Sequence, residues 1–256
     1  SLLYYSDRLM EFPLGLFGIA LATVTLPYLA RQAANKSYDE FADTLDWSMK
    51  LVFLIAVPAA IGLIVLAEPL VATIFYGGVF TGDDVRMTAL ALQAFAVGLI
   101  GFSYVKILAP AYFAREDTRT PVKVGLIALA VNFALSVSLA WYLTRIGFAG
   151  SHAGLALAIS VAALFNAYLL YRGLRQQGVA RHGKGWTMLL ARTAAANAVM
   201  TAVLIALQRP LSWWLESGIL ARVAWLATVI LLGVAAYFVV LFVLGMRTRD
   251  FRLRQN

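Results

Sequence analysis

Long apolar runs alternate with short polar breaks along this chain. Within each run the apolar residues are continuous rather than alternating, which predicts membrane-length helices and not barrel strands. Seven runs stand out: Leu9–Ala30, Met49–Ala67, Met87–Phe113, Val122–Thr144, Phe148–Tyr171, Trp186–Gln208 and Ile219–Met246. Each approaches or exceeds the roughly 20 residues that carry a helix across a bilayer. Ser37-Tyr38-Asp39-Glu40 has the spacing of a capping box and predicts a helix start that runs into the second span. Asp83-Asp84 offers caps for the third span, and Thr120-Pro121 an N-cap and a first-turn proline for the fourth. Gly77-Gly78 and Gly147–Gly150 predict turns. Pro13, Pro27, Pro58 and Pro110 fall in or near spans and predict bends or breaks. Glu68-Pro69 predicts the end of the second span, with Leu70–Tyr76 as an interfacial continuation. The expected fold class is all-α, a polytopic transmembrane helix bundle of about seven spans.

Composition strengthens this picture. The 256 residues are 62% hydrophobic and 13% charged, against about 45–50% and about 25% in soluble domains. The net charge of +8 therefore reads as a topology signal rather than a nucleic-acid footprint. Of the 21 basic residues, fifteen fall in one alternating set of loops and the tail, five in the other, and Lys106 within a span. Positive-inside bias then predicts a cytoplasmic C-terminus, with Ser1 near the outer face. Trp141, Trp213 and Trp214 would lie at the outer interface, Trp47 and Trp186 at the inner one. There are no cysteines, so disulfides and thiolate metal sites are excluded. No signal-peptide pattern precedes the first span, and the chain reads as starting mid-protein.

The chemistry narrows to Arg8, at the head of the first span. At helical spacing Ser1, Tyr4, Arg8, Glu11, Gly15, Gly18 and Ala22 share one face, polar at one end and small further in. Two readings stand side by side. Arg8 donates to a phosphate or carboxylate, which a guanidinium fork suits, or it pairs locally with Asp7 or Glu11 and reaches for the interface. Lys106 reads as snorkelling toward the cytoplasm. Asn132, Asn166 and Asn197 read as interhelical glue. His152 and His182 lie in loops without metal-ligand spacing, so neither a metal nor a cofactor is expected. Asp39–Asp46 reads as a solvated face, and the basic loop Arg172–Arg192 as a topology signal with anionic lipid as a secondary partner. No phosphate loop, HExxH or GxSxG is present, so no catalytic residue is expected. No Asp or Glu occurs between Asp117 and Glu216, which leaves the fourth to sixth spans without a carboxylate for ion coupling.

Three stretches carry a family likeness. Ser1-Leu-Leu-Tyr-Tyr-Ser-Asp-Arg-Leu-Met-Glu-Phe-Pro13 resembles the start of the eighth helix of the MurJ/MviN lipid II flippases, of the MOP exporter superfamily. Ile74-Phe-Tyr-Gly-Gly-Val-Phe-Thr81 resembles their short outer-face motif. Leu108-Ala-Pro-Ala-Tyr-Phe-Ala-Arg-Glu-Asp-Thr-Arg-Thr-Pro-Val-Lys123 resembles their loop between helices ten and eleven. The likeness covers essentially the whole chain, as helices eight to fourteen of a fourteen-helix protein. It implies a transporter that flips undecaprenyl-pyrophosphate-linked peptidoglycan precursor from the cytoplasmic to the periplasmic leaflet of the bacterial inner membrane, by alternating access. It implies that Arg8 engages the anionic head group and that Glu11 lines the same cavity, with Asp7 and Ser1 in the same substrate-binding block. Residues 1–175 would form the C-terminal lobe, and residues 176–256 an extra helix pair, whose groove holds the polyprenyl tail, with a basic tail. Its partners would be lipid II, membrane lipids and the N-terminal half of the same protein. Alternatives are another MOP exporter of polyprenyl-linked oligosaccharide, a membrane-embedded polyprenyl-phosphate transferase using Asp83-Asp84, and a non-catalytic scaffold.

Overall fold

The computed structural model describes residues 2–147, 151–181, 183 and 185–246, with side chains at all of these except 2, 12–13, 16–24 and 151. In order the helices are α1 (Leu2–Ala34), α2 (Tyr38–Val65), α3 (Ala67–Phe75), α4 (Gly82–Phe113), α5 (Arg119–Arg145), α6 (Ser151–Gln176), α7 (Trp186–Ala206), α8 (Leu211–Glu216) and α9 (Ile219–Val243). Among the described residues no named strand occurs; the Gly77-Gly78 turn closes on one isolated bridge, Gly77 to Phe80. Six helices, α2, α4, α5, α6, α7 and α9, are long and apolar enough to cross a membrane. The seventh expected span lies within the 33-residue α1.

Several helix ends differ from expectation for local reasons. The second span ends at Val65, and its cap Leu66 also precedes α3, two residues before Glu68-Pro69. Pro69 therefore sits in the first turn of α3, where its missing N–H costs nothing. Pro58 and Pro110 lie inside α2 and α4, which continue past them. Ser37 stands at the N-cap of α2, but its side chain makes no capping bond. The complete capping box belongs instead to Thr81 and Asp84: the Asp84 carboxylate accepts from the Thr81 N–H at 2.8 Å, and the Asp84 N–H donates to the Thr81 hydroxyl at 3.3 Å. At the head of α5, Asp117 rather than Thr120 provides the acceptor, taking the Thr120 N–H at 3.0 Å and its hydroxyl at 2.7 Å.

Helix α4 is the centre of the bundle, packed against α1, α2, α3 and α6. Its approach to α6 is close because small residues meet there. Gly98 faces Ser160, and Gly101 faces the backbone of Ala163 and Leu164, so that a Cβ at Gly101 would fall 2.6 Å from both backbones. The seam is fastened along its length by polar side chains that bond carbonyls of the facing helix, as interhelical contacts in lipid favour. His152 Nε2 meets the Met87 carbonyl at 3.0 Å, Ser160 donates to Ala94 at 2.7 Å, and Tyr112 donates to Leu170 at 2.9 Å. His152 thus stands in the first turn of α6 and not in a loop; His182 lies outside the described residues. Helix α1 joins through the Ser6 hydroxyl, which donates to the Thr88 carbonyl at 2.9 Å, and through Gln32, which donates to Thr44 at 3.0 Å. Helix α5 packs chiefly on α6 and buries only Ala128, leaving a face of Leu126, Leu129, Phe133 and Trp141 exposed. Helices α7 and α9 pair with each other and dock on α2 and α3.

Candidate functional site

The face of α1 on which the candidate site lies is the one the bundle leaves open. Ser6 and Met10 are buried, at 0% and 3% exposure, and point into the contact with α4 and its neighbours. Tyr4, Arg8 and Glu11 lie on the other side of the same turns and are exposed. The Arg8 guanidinium stands 5.2 Å from the Tyr4 ring centroid, one turn back, and donates to the Glu11 carboxylate at 3.2 Å, one turn on. Their side chains are 60% and 52% exposed, so this is a solvated pair of small energetic worth. A Cβ at Gly15, the next position of the stripe, would meet nothing within 4 Å. Asp7 is half-buried beside the pair. The structure therefore brings together Tyr4, Arg8 and Glu11, with Asp7 adjacent; Ser1 lies outside the described residues.

Both partners of Arg8 belong to α1 itself. They fix the guanidinium relative to its own helix while leaving N–H donors for an anion. The Arg8 guanidinium also lies within cation–π range of the Tyr4 ring.

Other charged residues lie differently from their sequence reading. Asp46, taken as part of a solvated face, is 7% exposed. Its carboxylate accepts from the Gly183 N–H at 3.1 Å and the Trp186 indole at 2.7 Å, and pairs with Lys50 at 2.6 Å. Asp39 keeps the expected exposure and meets Arg181 at 2.7 Å. Together the two carboxylates hold the segment between α6 and α7 against α2. The signal for Asp46 was present in the chain, four residues before Lys50, but its long-range partners carry no local pattern. Arg222, in the first turn of α9, is 7% exposed. It donates to the carbonyls of Ser217 at 2.8 Å, Leu215 at 2.9 Å and Ala72 at 3.3 Å, and lies 4.9 Å from the Tyr76 ring centroid. Two of the three asparagines bond within their own helices rather than across: Ser136 donates to Asn132 at 3.3 Å, and Asn197 donates to the Thr193 carbonyl at 2.8 Å. Lys106 is half-buried and forms no ion pair among the described residues. Those residues also hold no cluster of His, Asp or Glu suited to a metal ion. Of the pair Asp83-Asp84, Asp84 is taken up by the cap of α4, whereas Asp83 is exposed.

A bundle of membrane-length helices with an arginine exposed on an open helix face defines a multi-pass α-helical membrane protein. Comparison with known proteins gives the family. The family model described as lipid II flippase MurJ matches residues 1–220, and the chain belongs to that family. It is 44% identical over 252 residues to a probable lipid II flippase MurJ of Vibrio cholerae, covering 98% of this chain and 47% of the relative. It is 37% identical over 255 residues to the lipid II flippase MurJ of Burkholderia cenocepacia, covering 99% and 48%. The chain thus spans about half the length of the curated relatives it matches. A solved structure of a lipid II flippase MurJ, in an inward closed conformation, shares the fold with a TM-score of 0.73 at 21% identity, over 94% of this chain and 46% of that one.

Proposed function

We propose that this chain is the C-terminal half of a flippase that carries lipid II from the cytoplasmic to the periplasmic leaflet of a bacterial inner membrane, and that Arg8 engages the anionic head group. The observation that carries the reading is the open face of α1. Among the described residues its arginine is 60% exposed, is held only by residues of its own helix, and is followed inward by Gly15, where an added Cβ would meet nothing within 4 Å. A second half, of the length the relatives have and this chain lacks, would close that face into a cavity. The pyrophosphate then meets the Arg8 fork, with Glu11 holding the fork in place and Asp7 and Ser1 belonging to the same substrate-binding block. Alternating access moves the cavity from one side to the other, and the membrane potential acts on its cationic lining at about 2.3 kcal/mol per charge per 100 mV.

Residues 1–175 form the lobe in this reading, and residues 176–256 the added helix pair and a cytoplasmic basic tail. Docking of α7 and α9 on α2 and α3 rather than on α1 or α6 supports that division. The exposed apolar residues Leu231, Phe238 and Phe242 of α9 suit the polyprenyl tail, and the uneven distribution of Arg and Lys supports the cytoplasmic C-terminus. Transport in this scheme needs no covalent step, which suits a site built from one cation and its neighbours.

The test is Arg8→Ala and Arg8→Lys in the full-length protein, read by rescue of a flippase-depleted strain and by outward appearance of lipid II. Alanine should abolish flipping while membrane insertion stays normal. Lysine should restore only part of it, because an ammonium lacks the planar fork. Full activity of Arg8→Ala would remove Arg8 from the site. Rescue of a strain starved for a different polyprenyl-linked oligosaccharide, but not of lipid II transport, would move the chain to another exporter.

A further inference from the structure

The corner joining α7 to α8 carries an arginine that the proposed transport leaves unused. Arg209 is exposed, and its guanidinium lies 4.7 Å from the Trp225 ring centroid and 5.7 Å from that of Trp213. Both distances are within cation–π range. The indoles are themselves tied down. Trp225 Nε1 donates to the Leu207 carbonyl at 3.2 Å, and Trp214 Nε1 donates to the Arg209 carbonyl at 3.2 Å. Trp213 meets Trp214 edge-on at 5.0 Å and Trp225 at 6.4 Å. Gln208 fastens the same corner to α2 by donating to the Val65 carbonyl at 3.3 Å. The platform under Arg209 is therefore built before any ligand arrives, which lowers the ordering cost of binding.

Stacking occupies the face of a guanidinium and leaves its N–H edge available. Among the described residues no carboxylate forms an ion pair with Arg209. Two other cations at this end of the bundle differ. Arg222 spends its donors on three carbonyls. Arg145 lies over the single exposed ring of Trp141, at 4.3 Å. Only Arg209, of these three, combines an open edge with a two-ring platform. Because α7 and α9 are membrane-length helices, the turn between them lies at a membrane surface, the level where indoles gather and lipid phosphates sit. An N–H edge at that depth meets phosphodiester oxygens continuously, whereas a soluble anion must first leave bulk water.

We propose that Arg209, seated on Trp213 and Trp225, binds the phosphate of an anionic phospholipid head group in the leaflet bordering the α7–α9 turn. In this proposal the lipid is a bound partner and not the transported cargo. The test uses full-length protein, stripped of lipid in detergent and titrated with phosphatidylglycerol, phosphatidylcholine or inorganic phosphate, with bound lipid read by native mass spectrometry. Phosphatidylglycerol should bind more tightly than phosphatidylcholine. Arg209→Ala should weaken phosphatidylglycerol about tenfold, the loss expected for one charge-assisted contact, and erase the preference. Arg209→Lys should fall between the two. If the alanine variant fails to fold, Arg209→Gln, which keeps length without charge, carries the same expectation. Equal phosphatidylglycerol affinity with and without the arginine overturns the proposal. So does an equal loss for both lipids, which would mean that Arg209 only props the tryptophans. Displacement of phosphatidylglycerol by inorganic phosphate overturns the assignment to a lipid.

Discussion

Replacing Arg222 with Met removes a charge that is buried without a carboxylate partner among the described residues. Arg222 lies in α9 but serves the ends of two other helices. Its Nη1 donates to Ala72, one of the last four carbonyls of α3, and its Nε and Nη2 donate to Ser217 and Leu215 at the end of α8. Those carbonyls have no partner within their own helices, and the cation also suits the negative ends of both helix dipoles. Methionine fills most of the volume and donates nothing. Three carbonyls then lose their donor, at about 1–3 kcal/mol each when buried. Against this, removal of the charge relieves a desolvation penalty of several kcal/mol. The 3.3 Å bond to Ala72 contributes least. A net loss of about 3 kcal/mol remains, or about a hundredfold in the local opening equilibrium. Hydrogen exchange of the full-length protein reads this directly, because local opening is resolved segment by segment. Amides of Leu211–Glu216 and of the last turn of α3 should exchange about a hundredfold faster in Arg222→Met, while α5 and α6 stay unchanged. Arg222→Lys should recover little, since one ammonium cannot span all three acceptors. Unchanged exchange in α8 and α3, or full recovery by lysine, would refute the reasoning.

Asp46→Ala should free the segment before α7 at a cost of about 3 kcal/mol, the usual penalty for breaking a buried charge pair; red-shifted Trp186 emission and faster tryptic cleavage after Arg181 would report it. Gly101→Ala should lower thermal stability by about 1–3 kcal/mol through overpacking against α6, whereas Gly62→Ala, whose Cβ meets nothing within 4 Å, should be neutral or stabilising in the same melt. The Thr120 hydroxyl and N–H hold the Asp117 carboxyl below the usual carboxylate range. A folded pKa below the unfolded one means that this cap contributes fully above about pH 4 and is lost as pH falls through the lowered value. Protection of the Thr120 amide against hydrogen exchange, referred to its intrinsic rate at each pH, should therefore fall as pH drops through that value, and Asp117→Asn should remove most of that acid dependence.

The membrane-length helices were legible because apolar runs need no long-range information: one helix in lipid satisfies its own backbone. Helix ends were less so. Ser37 and Thr120 have the right residue types, yet Ser37 makes no cap bond and Asp117 takes the capping role three residues before Thr120. Competing side chains within one turn cannot be ranked by spacing alone. The fates of Asp46 and Arg222 were illegible for a different reason. Besides their local partners, Asp46 meets Gly183 and Trp186, 137 and 140 residues away, and Arg222 meets Ala72, 150 residues away; only the docking of α7 and α9 on α2 and α3 brings these together. The Arg8–Glu11 contact was one of the two local pairs open to Arg8, Glu11 lying one turn on along the same helix, whereas the Tyr4 contact had no expectation attached.

That contrast also sorts the ionised groups by what they do. Asp46 and Arg222 are nine-tenths buried, and each is met by two or three donors or acceptors from other segments. Such groups hold elements in place, and removing one costs stability first. Arg8 is met only within α1 and remains mostly exposed, so removing it leaves the packing of Ser6 and Met10 against the bundle intact. In the proposed function, this charge serves what approaches the open face. Arg8→Ala should therefore leave the melting temperature of the full-length protein unchanged while transport is lost, the reverse of the balance expected for Arg222→Met. A variant of Arg8 that lost both together would place the residue with the structural cations instead.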